Sequence, residues 1–299
     1  MRKEVSFLSS GLKIAANLYV PEAPNGRAII IGHPGTATKE QSPALYAGKL
    51  EAAGFTVLTF DAAFQGASEG LPRGLENPAQ RIEDFKAAVS FLETVDGVNP
   101  ARIAVLGICA SGGYVVPAAA GDRRIRAVAT VAAVDVGMQM RVGPDGRQDP
   151  AVLDTLLNAA AAARSRAARG EDPGKLPVFP EDEAQARAGG LHVHEGWEYY
   201  CTPRGFHPRS ALALTWDSLD RMATFDAFRF IAMLAPRPLL MITAEKAVTA
   251  WMTHDALSRA AGPKALHVVP GATHVDLYDR EDAVDDAVAR LVAFYTEAL

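Results

Sequence analysis

Five short runs of this chain are apolar almost throughout: R-A-I-I-I-G-H (27–33), F-T-V-L-T-F-D (55–61), R-I-A-V-L-G (102–107), A-V-A-T-V-A-A-V-D (127–135) and P-L-L-M-I-T (238–243). A strand with one face in water alternates apolar and polar side chains, whereas a strand buried on both faces does not. These runs therefore require a sheet covered by helices on both sides. The intervening segments 44–53, 81–95, 251–261 and 286–299 carry apolar residues at helical spacing and supply that cover. Strand–helix alternation of this kind demands a right-handed, doubly wound, mostly parallel α/β sheet. The opening V-S-F-L-S-S-G-L-K-I-A-A-N-L-Y-V reads as two strands around a Ser-Gly turn, an antiparallel edge.

Between residues 138 and 228 the rhythm breaks. Residues 151–169, A-V-L-D-T-L-L-N-A-A-A-A-A-R-S-R-A-A-R, form a strong helix with an apolar side. A Pro- and acid-rich linker (176–183) and an aromatic cluster, G-W-E-Y-Y-C-T-P-R-G-F-H-P-R (196–209), follow. The expected organisation is one core, residues 1–137 and 229–299, with 138–228 inserted as a helical lid or cap. A structural elaboration or a homodimer contact is the alternative role for the insertion. Within it, Trp197, Tyr199, Tyr200 and Arg204 are candidates for shaping a substrate pocket.

Composition narrows the function. A net charge of −5 leaves no basic field to recruit nucleic acid or anionic membrane. No run approaches the roughly 18 apolar residues that a membrane span needs, and M-R-K-E-V-S-F-L-S-S-G lacks the apolar core of a signal peptide. A cytoplasmic protein acting on a small molecule is expected. The two cysteines, Cys109 and Cys201, build neither a disulfide framework nor a thiolate metal cage, and no cofactor is called for.

The chemistry concentrates at V-L-G-I-C-A-S-G-G-Y (105–114), where a buried strand runs into a helix of small residues. A side chain can be raised to the top of a sheet only on a turn so tight that its flanks tolerate almost no side chain. Two registers compete: Cys109 at the apex between Gly107 and Ser111, or Ser111 between Cys109 and Gly113. The strand R-I-A-V-L ends at Gly107, which favours Cys109. The dipole of the following helix should favour thiolate over thiol. The competing structural reading is a small, buried, inert cysteine.

A nucleophile needs a base. In H-V-V-P-G-A-T-H-V-D-L-Y (267–278), a strand ends at Pro270-Gly271 and a loop presents His274, between the last strand and the last helix. The other histidines lack such a setting: His267 lies in a strand, His254 in a helix, and His192, His194 and His207 in the insertion. An oxyanion hole needs two backbone N–H groups. Ala110 supplies one; the loop G-H-P-G-T-A-T (32–38) supplies the other from Gly35, or Thr36 beside it, because Pro34 has no N–H. His33 then shapes that loop.

These residues resemble the α/β-hydrolase superfamily, and within it the dienelactone-hydrolase-like branch, which places cysteine in the elbow. H-P-G-T-A-T-K-E-Q (33–41), F-D-A-A-F-Q-G-A-S-E-G (60–70), G-I-C-A-S-G-G-Y (107–114) and G-A-T-H-V-D-L-Y-D (271–279) are similar to segments of bacterial α/β hydrolases and fungal polyketide acyltransferases. The resemblance implies ester, thioester or lactone chemistry through an acyl-enzyme on Cys109. It also implies a triad acid after the strand P-L-L-M-I-T, yet Ala247 and Val248 stand there. Three answers are open: Asp135 as a relocated acid, which is favoured, Glu245, or no acid at all. Hydrolysis, acyl transfer or cyclisation at the same site, and ligand binding without turnover are the three functional readings.

Overall fold

The structure, a computed structural model, describes residues 1–299. It opens with β1 (Arg2–Ser9) and β2 (Leu12–Tyr19), then β3 (Ala28–Gly32), α1 (Ser42–Ala52), β4 (Thr56–Phe60), α2 (Pro78–Leu92), β5 (Ile103–Ile108), α3 (Ala110–Gly121) and β6 (Ile125–Val131). An insertion follows: α4 (Val136–Val142), α5 (Pro150–Ala168), β7 (Lys175–Pro177), α6 (Glu183–Ala188), α7 (Leu191–Cys201), β8 (Ala213–Thr215) and α8 (Asp217–Ala223). The chain ends with β9 (Leu239–Ala244), α9 (Ala250–Arg259), β10 (Lys264–Val269), a single turn α10 (Asp276–Asp279) and α11 (Glu281–Ala298).

Eight strands form one sheet in the order β1-β2-β4-β3-β5-β6-β9-β10, while β7 and β8 pair with each other. Only β1–β2 and β2–β4 are antiparallel; the other five pairings are parallel. The order reverses between β3 and β5, so the loops after these strands leave the sheet side by side. That is where an open α/β sheet offers a crevice.

The two-sided burial required by the apolar runs is visible residue by residue. Ile30, Leu58, Val105, Val128 and Met241 point into one core with α2, α3 and α9. Ile29, Ile31, Val57, Leu106, Ala129 and Ile242 point into the other with α1 and α11. Each fully buried Ile, Leu or Val contributes about 1.5–3 kcal/mol relative to exposure, so both faces stabilise the central strands. Helix starts follow local chemistry. Asn77 caps α2 and Asp149 caps α5, each followed by a proline that lacks only an N–H the helix could not have used. No helix is long and apolar enough to cross a membrane.

One strand differs from the sequence expectation. The run 127–135 reads as a strand ending at Asp135, but β6 stops at Val131, where Ala132 takes φ +48°. Asp135 instead caps α4, accepting from the amides of Gly137 at 2.8 Å and Met138 at 3.1 Å.

Gly107 has no room for a side chain: a Cβ there would land on the backbone carbonyl of Ser111. Gly48, on the exposed face of α1, meets nothing within 4 Å. Gly107→Ala is expected to cost at least about 4 kcal/mol or to prevent folding. Gly48→Ala should be neutral or stabilising by up to about 1 kcal/mol, both read from urea unfolding.

Candidate active site

The turn between β5 and α3 carries Cys109 at φ +53° and ψ −118°, a conformation L-residues avoid. Backbone bonds hold it there: the Cys109 amide donates to Val131 at 2.9 Å, and its carbonyl accepts from Gly112 at 2.8 Å and Val134 at 3.0 Å. Gly112 and Gly113 let α3 press against the segment after β6; a Cβ on Gly113 would lie 2.5 Å from the Val134 carbonyl oxygen. Cys109 is partly exposed, and the surface it keeps faces a cavity of about 430 Å³.

Ser111, at the apex of the alternative register, is completely buried, and its hydroxyl donates to the His33 carbonyl at 2.6 Å. That bond ties α3 to the loop after β3. His33 holds the same loop from the other side. Its Nε2 faces the Ala62 amide at 3.0 Å, which assigns the proton to Nδ1, bonded to the Pro34 carbonyl at 2.7 Å. Burial, with the charge of Arg81 beside it, holds the His33 pKa well below the ordinary histidine value. The loop thereby delivers Gly35 to the thiol: burial raises the Cys109 pKa, and the Tyr278 hydroxyl and the amides of Ala110 and Gly35 oppose that rise. Desolvation thus outweighs the helix dipole expected from sequence and moves the thiol away from thiolate.

His274 is buried at the other side of the cavity. Its Nδ1 lies 2.7 Å from the Thr249 hydroxyl and its Nε2 lies 3.0 Å from the Tyr278 hydroxyl. Burial lowers its pKa well below the ordinary value, and His192 lowers it further. His192, on α7, sets its ring edge-to-face on His274 at 4.9 Å and lines the cavity.

The structure corrects the acid. Asp135 does not meet His274: its second carboxylate oxygen accepts from the Ala227 amide at 2.9 Å, so both oxygens are spent on backbone. Glu245 is exposed and accepts from the Gly271 amide at 2.7 Å. Thr249, one residue beyond the Ala247-Val248 gap, occupies the partner position on His274. The substrate candidates are corrected as well, because α7 is a helix. His192, Val193, Gly196 and Tyr200 share its cavity face, and Trp197 and Tyr199 do not line the cavity. Tyr199 instead packs edge-to-face on Tyr278 and accepts from the Ser42 amide at 3.1 Å. Arg204 lies beyond the helix end, paired with Asp279 at 2.8 Å and Glu198 at 2.9 Å. Thr249 and His192 carried no motif of their own; Tyr278 lies inside the segment 271–279, which gave no sign of its contact with His274.

A sheet of this topology, a strained turn after its fifth strand and a histidine after its last define the class. Residues 30–287 match the model of the alpha/beta hydrolase family, and the chain belongs to that family. A crystal structure of the hypothetical protein PA2218 from Pseudomonas aeruginosa superposes with a TM-score of 0.92 at 35% identity, covering 100% of this chain and 94% of that one. The thiohydrolase aneE of Aspergillus aculeatus is 29% identical over 251 residues, 80% of this chain and 75% of that protein. The polyketide transferase grgF of a Penicillium species is 26% identical over 279 residues, 92% of this chain and 90% of that protein.

Two outcomes follow from the electrostatics. Iodoacetamide should alkylate Cys109 more slowly at pH 7 than it alkylates a free cysteine, with the rate still climbing above the ordinary thiol pKa of about 8.5. Faster labelling at pH 7 would mean a preformed ion pair. Thr249→Asp should raise the His274 pKa by roughly 1–3 units, because an adjacent carboxylate favours the imidazolium; a histidine NMR titration measures it.

Proposed function

We propose that this chain is an acyl-enzyme hydrolase that opens thioesters, with esters and lactones in the same chemical range, through Cys109. The thiol attacks the acyl carbonyl, its proton passes to His274, and the amides of Gly35 and Ala110 hold the developing oxyanion. Each such donor is worth roughly 3 kcal/mol in comparable enzymes. The observation that carries this reading is the thiol itself: it sits on a strained apex and faces a cavity that Gly35 and Ala110 also line. An inert packing cysteine needs none of these features.

Thioesters are favoured over oxygen esters by what stands behind His274. With a hydroxyl instead of a carboxylate, the imidazolium forms less readily, so little of it is available to protonate an alkoxide leaving group. A thiolate leaves with little such help. Of the two fungal relatives, the one named a thiohydrolase agrees with this reading, and the one named a polyketide transferase agrees with acyl transfer.

The cavity is lined mainly by apolar side chains, among them Met140, Leu156, Leu176, Phe179, Tyr200 and Met222, and residues 138–228 act as its lid. No lysine or arginine lines it; Glu76, its one carboxylate, is bonded to Arg81, Gln65 and Tyr114. Such a wall suits a neutral acyl group.

The same weak base supports a second reading, transfer or cyclisation. Water must lose a proton to attack the acyl-enzyme, whereas a thiol or amine acceptor demands less of His274. Incubation with acyl N-acetylcysteamine thioesters should produce an adduct of the acyl mass on Cys109 in intact-mass spectra, absent in Cys109→Ala. An unchanged turnover in Cys109→Ala, with loss in Ser111→Ala, would move the chemistry to serine. Products collected with and without a competing thiol separate hydrolysis from transfer.

A further inference from the structure

The cavity wall contains a polar side chain that the chemistry above leaves unused. His192 stands in the first turn of α7, lines the cavity and sets its ring edge-to-face on His274, 4.9 Å between centroids. The protein gives this imidazole no hydrogen bond. Its Nδ1 is buried and unpaired, and its Nε2, also without a partner, keeps accessible surface on a ring that lines the cavity. By contrast, Glu76 is bonded to Arg81, the Tyr200 hydroxyl to the Gly35 carbonyl, and His274 and Tyr278 to each other. Building on the acyl-enzyme chemistry proposed above, we propose that His192 is a specificity-determining residue: its Nε2–H reads a hydroxyl or keto oxygen carried by the acyl chain close to the thioester carbonyl.

A phenylalanine at position 192 would pack on His274 equally well. The imidazole adds two polar nitrogens to a largely apolar enclosure, a cost that only a hydrogen-bond partner offsets. The protein supplies none, so the partner belongs to what the cavity holds. Burial lowers the His192 pKa, so the ring is neutral near pH 7 and carries one N–H. A bare lone pair tolerates burial better than an orphaned N–H, which assigns that proton to the accessible Nε2. The ring therefore offers the occupant a donor and calls for an acceptor oxygen. A neutral donor, in a wall without lysine or arginine, suits an uncharged oxygen rather than a carboxylate.

Contact with His274 sets this donor beside the reacting end of the substrate. In the proposed chemistry the thioester carbonyl oxygen is already held by the amides of Gly35 and Ala110, so the oxygen read by His192 is a different one. The apolar side chains of Met140, Leu156 and Phe179 are left for the rest of the chain. The donor is held in place although it has no bonds of its own. Farther along α7, the Tyr199 hydroxyl accepts from the Ser42 amide at 3.1 Å, the Tyr200 hydroxyl donates to the Gly35 carbonyl at 3.3 Å, and Phe179 stacks on Tyr200 at 4.9 Å. These contacts fix the helix, and the helix fixes the ring.

The test compares acylation of Cys109 by 3-hydroxyhexanoyl and hexanoyl N-acetylcysteamine thioesters. Each rate is divided by that substrate's rate of exchange with free cysteine, which removes differences in intrinsic reactivity. The wild type should prefer the better enantiomer of the hydroxyacyl substrate by about 10-fold, the scale of one neutral hydrogen bond. His192→Phe keeps the ring contact and should bring the ratio to about one, whereas His192→Gln, which retains an N–H at similar reach, should keep a preference. A wild-type ratio near one overturns the proposal even if His192→Phe fails to fold. So does equal slowing of both substrates in His192→Phe, which marks a packing role alone. A loss that instead follows the thiol portion, seen with hexanoyl N-acetylcysteamine against hexanoyl propanethiol ester, puts the oxygen in the leaving group and also overturns it. If no thioester forms an adduct on Cys109, the acyl-enzyme reading fails by itself. Calorimetric binding of the same two N-acetylcysteamine thioesters to Cys109→Ala, which needs no turnover, then decides the His192 contact by the same ratio.

Discussion

The close approach of β5 to the first turn of α3 is the constraint on which the site depends. Gly107 lies against the carbonyl of Ser111, and Gly112 and Gly113 lie against Ala133 and Val134, so no side chain fits at any of the three. That contact forces Cys109 to positive φ, and the bonds from Val131, Val134 and Gly112 keep it there. The strain is local; the restraint comes from a sheet buried on both faces, whose stability is collective. Everything else in the cavity is placed relative to this turn. Ser111 reaches the His33 carbonyl, His33 shapes the loop, and the loop brings Gly35 to the sulfur.

Charge is the second organising element, chiefly through where it is missing. Burial raises the pKa of the thiol and lowers that of His274, and the carboxylate that would offset this at the histidine is replaced by a hydroxyl. A neutral pair has a smaller desolvation cost than an ion pair in the same enclosure. The carboxylates nearby are committed to structure. Asp135 holds the start of α4 and the Ala227 amide, Asp61 pairs with Lys39, and Glu76 pairs with Arg81.

The insertion completes the cavity through the period of a helix and the reach of a few contacts. Tyr200 donates to the Gly35 carbonyl at 3.3 Å, and Ser210 to the Thr36 carbonyl at 3.0 Å, so the inserted segment also grips the loop that bears the Gly35 amide. The inserted segment thus lines the cavity and fixes the placement of that amide together.

Short-range pattern carried a good part of this architecture. The apolar runs marked the buried strands and the glycines around Cys109 marked the tight turn, because each reports backbone geometry within a few residues. The partners of His274 were not legible in that way. Asp135 ends an apolar run, as a triad acid can, and only the fold reveals that both of its oxygens face amides at the head of α4 and near residue 227. Thr249, Tyr278 and His192 converge on one imidazole from three elements spread over more than 80 residues. The sequence by itself determined the sheet, the helices that cover it and the turn that raises Cys109, since burial on two faces and a glycine-only turn are written into local composition. Only the tertiary structure decided what surrounds the sulfur and the imidazole, because hydrogen bonds and desolvation depend on distances between segments that periodicity cannot encode.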